Sequence, residues 1–200
     1  KGMKEVKDCL ALVPSPSSCH SKTKKSVMPE DVKGLKIRPE HATMANFVTS
    51  LGGTNVQSSA PEVRDIIERG VADGVTFPWG SLVLFGIDKV TKYDMEAPLY
   101  TTTFVFVINK DKYNAMSDKQ KAAIDKNCSV EMAGVVGEHW GKFEDAGIDK
   151  VKAESGHEVY KLTPEHTTAW KKASEPLVKT WSDGAKKAGA DPDAALTELK

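Results

Sequence analysis

Short apolar runs, separated by proline, glycine and polar residues, predict a series of β-strands along the chain. Most of the runs are rich in Val, Ile, Leu or Phe and stop at a turn-forming residue, as strands do. The runs are residues 6–13, 34–38, 55–57, 71–77, 89–93, 99–109 and 157–162. The second run ends on Arg38, which Pro39 follows, so this arginine is expected at the carboxyl end of a strand.

Between these runs, the spacing of apolar residues predicts helices. Residues 41–51 place Met44, Phe47, Val48 and Leu51 on one helical face. Ser59 and Glu62 have the spacing of a capping box, which opens a helix that ends near Gly70. Strands and helices therefore alternate with short connections. This order predicts an α/β fold with a mainly parallel sheet, in which ligands bind beyond the carboxyl ends of the strands.

The second half of the chain predicts longer helices. Ser117 has the character of a helix cap, and the helix that it starts is predicted to continue until Gly147 ends it. A helix of that length suits a spine that links two lobes. Thr163, followed by proline, begins another helix, and residues 191–200 form a short last one.

The charge balance excludes some classes of protein. The 28 lysine and arginine residues equal the 28 aspartate and glutamate residues, so the formal net charge is +0. Proteins that coat nucleic acid or an anionic membrane need a net positive face, so neither is expected as a partner. No apolar stretch approaches the roughly 18 residues that a bilayer-spanning helix requires.

The cysteine and histidine residues do not predict a metal site. Cys9, Cys19 and Cys128 lie outside any CxxC or Cys/His pattern, and the histidines lack HExxH spacing. Cys9 and Cys19 pair in an oxidising compartment, or all three cysteines stay free; the sequence leaves both interpretations open. No glycine-rich phosphate loop or other cofactor motif is present, so no cofactor is expected.

Three segments carry a resemblance to a known family. Residues 29–38 read PEDVKGLKIR, residues 62–79 form a helix-to-strand passage that ends in TFPW, and residues 108–121 contain INK and YNAMS. Together these segments resemble the solute-binding proteins of tripartite ATP-independent periplasmic (TRAP) transporters. The first segment is the most specific, because its last residue in that family is the arginine that grips the carboxylate of the ligand.

The resemblance implies a two-lobed periplasmic binding protein with strands that cross between the lobes and a long linking helix. Residues 1–14 and 103–142 are assigned to the first lobe, and residues 15–102 and 143–200 to the second lobe. Family members are longer, so the chain is expected to begin after the signal peptide and the first βα portion. The implied partners are a small organic acid and the membrane subunits of the transporter, and the implied location is the periplasm.

Five residues are expected to contact the ligand. The resemblance assigns Arg38 to the ligand carboxylate, which a guanidinium binds through two parallel hydrogen bonds. Phe77 stands where many relatives have a polar amide, so Phe77 and Trp79 either form an apolar wall or are ordinary core residues. His20, in a loop expected to face the cleft, and Ser58 complete the set. An aromatic wall favours an aromatic acid or another apolar acid, including 2-oxo and 2-hydroxy acids.

Two other classes of protein stay open on the sequence alone. A small α/β enzyme acting on a carboxylic acid would use Arg38 as a substrate clamp and His20 as an acid or base. An interaction module would bind no small molecule. Turnover distinguishes the enzyme, because a binding protein leaves the acid unchanged. The sequence shows no nucleophile beside a base and no convergent carboxylates, so a binding protein without catalytic residues is the favoured interpretation.

Overall fold

The computed structural model describes residues 3–198, which form an α/β structure of eight strands and eight α-helices. The strands are β1 (Val6–Leu12), β2 (Ser18–Ser21), β3 (Lys36–Arg38), β4 (Thr54–Asn55), β5 (Gly74–Phe77), β6 (Tyr93–Glu96), β7 (Phe104–Asn109) and β8 (Glu158–Lys161). The helices are α1 (Ala42–Ser50), α2 (Val63–Glu68), α3 (Trp79–Leu84), α4 (Lys110–Asn114), α5 (Asp118–Asn127), α6 (Val130–Ala153), α7 (Pro164–Lys187) and α8 (Pro192–Glu198). The predicted α/β class is confirmed. The predicted last helix extended over the final two residues, which lie outside the described part.

Six strands form the larger sheet, in the order β4-β3-β5-β2-β6-β8. Strand β3 runs parallel to β4 and β5, and β6 runs parallel to β8, as a βαβ pattern predicts. Strand β2 lies antiparallel between β5 and β6, so the sheet is mixed. The parallel strands β3 and β5 point their carboxyl ends to the same edge, which is where a ligand site is expected.

Strand β2 was predicted as a loop, and that prediction is wrong. Its sequence is Ser-Cys-His-Ser, which has neither an apolar run nor an alternation of apolar and polar residues. All four residues are buried, because β2 is a central strand covered on both faces. Its burial therefore depends on hydrogen bonds from polar side chains, and sequence periodicity does not detect these.

The smaller sheet consists of β1 and β7, which pair antiparallel from Val6 opposite Asn109 to Leu12 opposite Phe104. A bulge between Asp8 and Leu10 interrupts the pairing. The apolar runs that predicted these two strands are thus confirmed as strands. The predicted strand at residues 89–93 is wrong, because Ile87–Lys89 forms a 3₁₀ turn and the strand begins only at Tyr93.

The single long helix predicted from Ser117 to Gly147 is instead two helices. Helix α5 ends at Asn127, and Ser129 caps a new helix by accepting a hydrogen bond from the backbone N–H of Met132. Helix α6 then continues through Gly147 to Ala153. Gly147 lies inside the helix because α3 packs directly on it: a Cβ at this position would lie 2.4 Å from the backbone nitrogen of Gly80, so only glycine leaves room for the contact.

The cysteine pairing differs from both sequence interpretations. Cys9 of β1 forms a disulfide with Cys128, and Cys19 is a buried free thiol. A Cys9–Cys19 bridge does not form, since the two residues lie in strands of different sheets. Burial raises the pKa of the Cys19 thiol to about 12, so this cysteine is an unreactive core residue.

Two apolar cores flank the larger sheet. One core gathers residues of β3, α1 and α7 around Phe47 and Trp170, whose rings meet edge to face. The other gathers residues of α2, β5 and α3 with Val151 of α6. Helix α6 also packs against the smaller sheet, where Trp140 lies 4.7 Å from Phe104 between ring centroids. Helix α6 therefore spans both sheets, as a linking helix would, although the predicted division into two lobes stays a prediction.

Candidate ligand-binding site

Arg38, Ser58 and Phe77 come together at one edge of the larger sheet. Arg38 is the last residue of β3, and Phe77 is the last residue of β5, its parallel neighbour. Ser58 follows β4, which lies parallel to β3 on its other side. Three consecutive strands of the sheet thus deliver three of the predicted site residues to their shared carboxyl edge.

The guanidinium of Arg38 is only partly satisfied by the protein. Its Nε and Nη2 donate hydrogen bonds to the carbonyl oxygen of Ser58 at 3.2 and 3.0 Å. Its Nη1 is buried and has no partner among residues 3–198. The Cζ atom lies 5.6 Å from the ring centroid of Phe77, in cation–π contact. Burial lowers the pKa of Arg38, and the nearby Glu40 opposes that effect, so the group keeps its charge.

A second unsatisfied polar atom belongs to Ser58, the residue whose carbonyl oxygen Arg38 contacts. The Oγ of Ser58 is also buried without a hydrogen-bond partner among the described residues. Buried polar atoms in folded proteins are nearly always paired, and leaving one unpaired costs about 1–3 kcal/mol. A carboxylate is acceptor-only, so its oxygens can accept from both the arginine N–H and the serine O–H. The arrangement is therefore suited to binding an acid.

Glu40 is a charged residue of this edge that the sequence does not single out as a ligand contact. Its backbone N–H donates to Oγ1 of Thr76 at 3.1 Å, which fixes it beside β5. Its Oε2 accepts from the hydroxyl groups of Tyr100 at 2.5 Å and Thr102 at 3.3 Å. Burial raises the pKa of Glu40, and these two hydrogen bonds oppose the increase. The only sequence signal was its position two residues after the strand-ending Arg38.

His20 and Trp79 pack together, and the loop position predicted for His20 is wrong. His20 lies on β2 with no exposed surface, its Nδ1 2.8 Å from Oδ1 of Asp94 and its Nε2 3.1 Å from the carbonyl oxygen of Phe77. Trp79 begins α3, is buried, and meets the imidazole edge to face at 4.6 Å. Both rings thus hold the end of β5 in place. Direct ligand contact by either residue stays a prediction.

Asp94 connects two histidines inside the larger sheet. Its Oδ1 bonds to His20 and its Oδ2 lies 2.7 Å from Nδ1 of His157. Burial by itself would raise the pKa of Asp94, but the hydrogen bonds and charges of the two imidazoles outweigh it, and the pKa is lowered. No local pattern indicates this cluster, since its three members are far apart in the chain. It joins β2, β6 and the start of β8 behind the residues of the candidate site.

A cavity of about 200 Å³ lies beside Trp79 but does not include Arg38. Its charged lining is acidic, from Glu96, Glu144 and Asp145. Glu144 is buried and accepts hydrogen bonds from the backbone N–H groups of Gly80 and Ser81 at 2.6 and 3.0 Å, so it serves to cap α3. An acidic lining repels a carboxylate, so this cavity is poorly suited to an acid.

Residues 3–198 contain no group of three or more His, Cys, Asp or Glu side chains arranged to hold a metal ion. None of the helices described there is both long and apolar enough to cross a membrane.

Solved structures similar to this chain are TRAP solute-binding proteins. One, from Bordetella bronchiseptica with bound (R)- and (S)-mandelate, is 27% identical, with a TM-score of 0.87 over 97% of this chain and 62% of that protein. Another, from a marine metagenome, specific for aromatic acids and bound to 3-hydroxybenzoate, is 29% identical, with a TM-score of 0.83 over 96% and 61%. A third, from Sulfitobacter with bound β-D-galacturonate, is 20% identical, with a TM-score of 0.80 over 93% and 61%, and shows the fold alone.

The chain thus spans about three fifths of the length of these proteins. Residues 17–183 match the family described as "Bacterial extracellular solute-binding protein, family 7" (DctP). The matched segment includes Arg38, Ser58, Phe77 and both apolar cores. This match confirms the resemblance found in the sequence: the chain belongs to family 7 of the bacterial extracellular solute-binding proteins, the family of the TRAP solute binders.

Proposed function

We propose that this chain captures a small aromatic monocarboxylate in the periplasm and delivers it to the membrane subunits of a TRAP transporter. The ligand carboxylate binds Arg38 and Ser58, and its ring packs against Phe77. The chain performs no chemistry on the acid. Movement of the residues assigned to the two lobes closes the site around the ligand and creates the surface that the transporter recognises.

The observation that carries this proposal is the pair of buried, unpaired polar atoms, Nη1 of Arg38 and Oγ of Ser58. The two other nitrogens of the guanidinium are fixed on the Ser58 carbonyl, so the free N–H is held in a defined direction before a ligand arrives. A preorganised donor loses little conformational entropy on binding. A carboxylate accepts a charge-assisted hydrogen bond at this position, which is stronger than a neutral one.

Phe77 supports an aromatic rather than a sugar acid. Its ring already faces the guanidinium of Arg38, so a ligand that bonds to Arg38 brings its body close to an apolar surface. Sugar acids need several hydrogen-bonding groups along the wall that holds them, and a phenyl ring offers none. The similar proteins from Bordetella bronchiseptica and the marine metagenome, which bind aromatic acids, are also more similar in sequence than the one that binds galacturonate.

Thermal unfolding of the purified chain against a panel of acids tests the proposal. The panel contains benzoate, phenylacetate, mandelate, malate, galacturonate and glucose as a neutral control. At a ligand concentration about 100 times the dissociation constant, binding stabilises the folded state by about 2.7 kcal/mol. For a chain of this size, that raises Tm by roughly 5–10 °C. We expect the increase for the aromatic monocarboxylates only.

Two arginine variants make the test specific. Arg38→Lys keeps a positive charge but loses the planar donor pair, so it should lose most of the shift. Arg69→Lys is the matched control, because Arg69 is exposed, and it should keep the whole shift. The acid recovered after incubation should be unchanged by chromatography, whereas a product would favour the enzyme interpretation. If the chain melts cooperatively and no acid shifts its Tm, the proposal is wrong.

A further inference from the structure

Glu40 lies near Arg38, the positively charged residue that we propose binds the ligand carboxylate. It follows Arg38 by two residues, and its backbone is fixed to Thr76, the residue before Phe77. Burial lowers the pKa of Arg38 and raises the pKa of Glu40, and the charge of each residue opposes the shift of the other. No direct ion pair joins them among the described residues, so Arg38 is left available. The candidate site therefore contains a cation and a separate anion at one strand edge.

The two oxygens of the Glu40 carboxylate have different surroundings. Oε2 accepts hydrogen bonds from Tyr100 and Thr102, which lie in the segment between β6 and β7. Oε1 accepts no hydrogen bond from any described residue. A purely structural role, in which Glu40 fastens that segment to β3, accounts for Oε2 only. That role leaves Oε1 of this half-buried carboxylate open to solvent or to a ligand.

Tyr100 and Thr102 also limit how the carboxylate can move. Tyr100 is anchored at its backbone, where its carbonyl oxygen accepts from the N–H of Ser17 at 2.9 Å. Its ring meets His41 edge to face at 5.2 Å between centroids. A carboxylate held at one oxygen by two hydroxyl groups, one of them on the anchored Tyr100, has its other oxygen restricted in position. Oε1 is thus a preorganised acceptor, as Nη1 of Arg38 is a preorganised donor.

We infer that Glu40 determines specificity: its Oε1 accepts a hydrogen bond from a hydroxyl group of the ligand, and its charge rejects a second carboxylate. This inference rests on the proposed function, since it concerns the same site. The preferred ligand is then an aromatic acid that carries a carboxylate and a neutral hydroxyl donor. An aromatic dicarboxylate can bind Arg38 through one carboxylate, but its second carboxylate then lies beside Glu40, where the like charges repel.

Calorimetric titration of the wild-type chain with a matched ligand series tests the inference directly. The series contains benzoate, the three hydroxybenzoates and the three benzene dicarboxylates. The best hydroxybenzoate should bind at least about 10-fold tighter than benzoate, as expected for a hydrogen bond to a charged group. The dicarboxylate whose second carboxylate replaces the hydroxyl of that hydroxybenzoate should bind at least about 10-fold weaker than benzoate.

Two variants separate the hydrogen bond from the charge. Glu40→Gln keeps an acceptor and the bonds to Tyr100 and Thr102 but removes the charge. The ratio of the dissociation constant of the dicarboxylate to that of benzoate should therefore fall by about 10-fold. Glu40→Met has similar length and no acceptor, so the preference for the hydroxyl should disappear. Glu175→Gln, at an exposed position of α7, is the control. It should change neither the affinity of the hydroxybenzoate relative to benzoate nor that of the dicarboxylate relative to benzoate.

The outcomes for the two proposals differ. If no acid binds the wild-type chain, the proposed function itself has failed. If benzoate binds but neither the hydroxyl nor the second carboxylate changes the affinity, the inference about Glu40 is overturned while the proposed function stands. The same holds if both ratios in Glu40→Gln equal those of the wild type. Glu40→Gln preserves size and hydrogen bonding, so the test does not depend on whether Glu40→Met folds.

Discussion

The region around the larger sheet and the region around the smaller sheet are built differently. In the larger sheet, β5 is wholly buried, and the two flanking cores contain fully buried side chains from α2, α3 and α6. In the smaller sheet, Leu12 is the only buried residue of β1, and Val105, Phe106 and Val107 of β7 are 52%, 53% and 41% exposed. Helices α4 and α5 contain no buried residue among those described.

This difference shows that strand formation and burial follow separate signals. The run Phe-Val-Phe-Val-Ile in β7 has the composition of a strand covered on both faces, and it does form a strand. Here its surface is largely open. What holds the smaller sheet region is instead the pairing of β1 with β7, the Cys9–Cys128 disulfide and the packing of α6, whose Trp140 contacts Phe104. The region thus depends on a few specific links rather than on a core.

Replacing matched aspartates should give the largest contrast between the regions. Asp94→Asn weakens two buried hydrogen bonds from His20 and His157 to a charged acceptor, each worth about 1.5–3 kcal/mol, so the free energy of unfolding should fall by about 3–5 kcal/mol. Asp125→Asn removes an exposed negative charge and its ion pair with Lys7, and it should leave the free energy of unfolding almost unchanged. Urea unfolding at pH 7 measures both. Equal effects of the two substitutions would contradict the contrast.

The same pair predicts a pH dependence. The pKa of Asp94 is lowered in the folded state, so its stabilisation is complete above the ordinary aspartate pKa of 3.8 and is lost as pH falls through the folded value. The wild-type chain should therefore lose more stability than Asp94→Asn when the pH is taken below 4. Thermal unfolding from pH 6 to pH 2 follows this loss. Parallel curves for the two proteins would contradict the role of Asp94.

Removing the disulfide should affect mainly the smaller sheet region. The Cys9→Ala/Cys128→Ala double variant loses a link across 119 residues of sequence, and such a loss typically costs about 2–4 kcal/mol. Amide hydrogen exchange should become faster in β1 and α5 and stay slow in β3 and β5. A reductant should lower the free energy of unfolding of the wild-type chain to that of the double variant, and it should leave the free energy of unfolding of the double variant unchanged. Uniformly faster exchange would argue against two separately stabilised regions.

Matched valines in one strand of each sheet should give the smallest contrast. Val75 in β5 is fully buried, so Val75→Ala should cost about 2–3 kcal/mol through lost burial and a residual cavity. Val107 in β7 is 41% exposed, and Val107→Ala should cost less than about 1 kcal/mol. Urea unfolding compares the two. A Val107→Ala effect as large as that of Val75→Ala would show a hidden core around β7.

The sequence predicted the parts of the structure that depend on local patterns. Helix α1 follows from the spacing of Met44 and Phe47, and α7 follows from its Thr163 cap, whose hydroxyl accepts from the N–H of His166. The position of Arg38 at a strand end follows from the proline after it. Each of these depends on neighbours within a few residues, so the residues themselves carry the signal.

The parts that were missed depend on partners distant in sequence. Strand β2 has a polar sequence whose burial is explained only by Asp94, 74 residues from His20. The break before α6 coincides with Cys128, whose disulfide partner Cys9 lies 119 residues earlier in the chain. In the candidate site, Arg38 was recognisable from its motif, whereas the acceptor role of Glu40 depends on Tyr100, 60 residues away. Only the folded structure shows these pairs.

The contact between α3 and α6 limits the motions that the molecule can make. A Cβ on Gly80 would lie 2.5 Å from the carbonyl oxygen of Phe143, and a Cβ on Gly147 would meet the backbone of Gly80, so the two helices touch at their main chains. A shear motion needs a layer of side chains between two helices that can slide past each other. No side chain separates α3 from α6 at this contact, so we expect no shear there. Helix α6 is therefore fixed to α3 at this crossing, and we expect any movement of the smaller sheet to be taken up away from it, on the side of the break at Cys128.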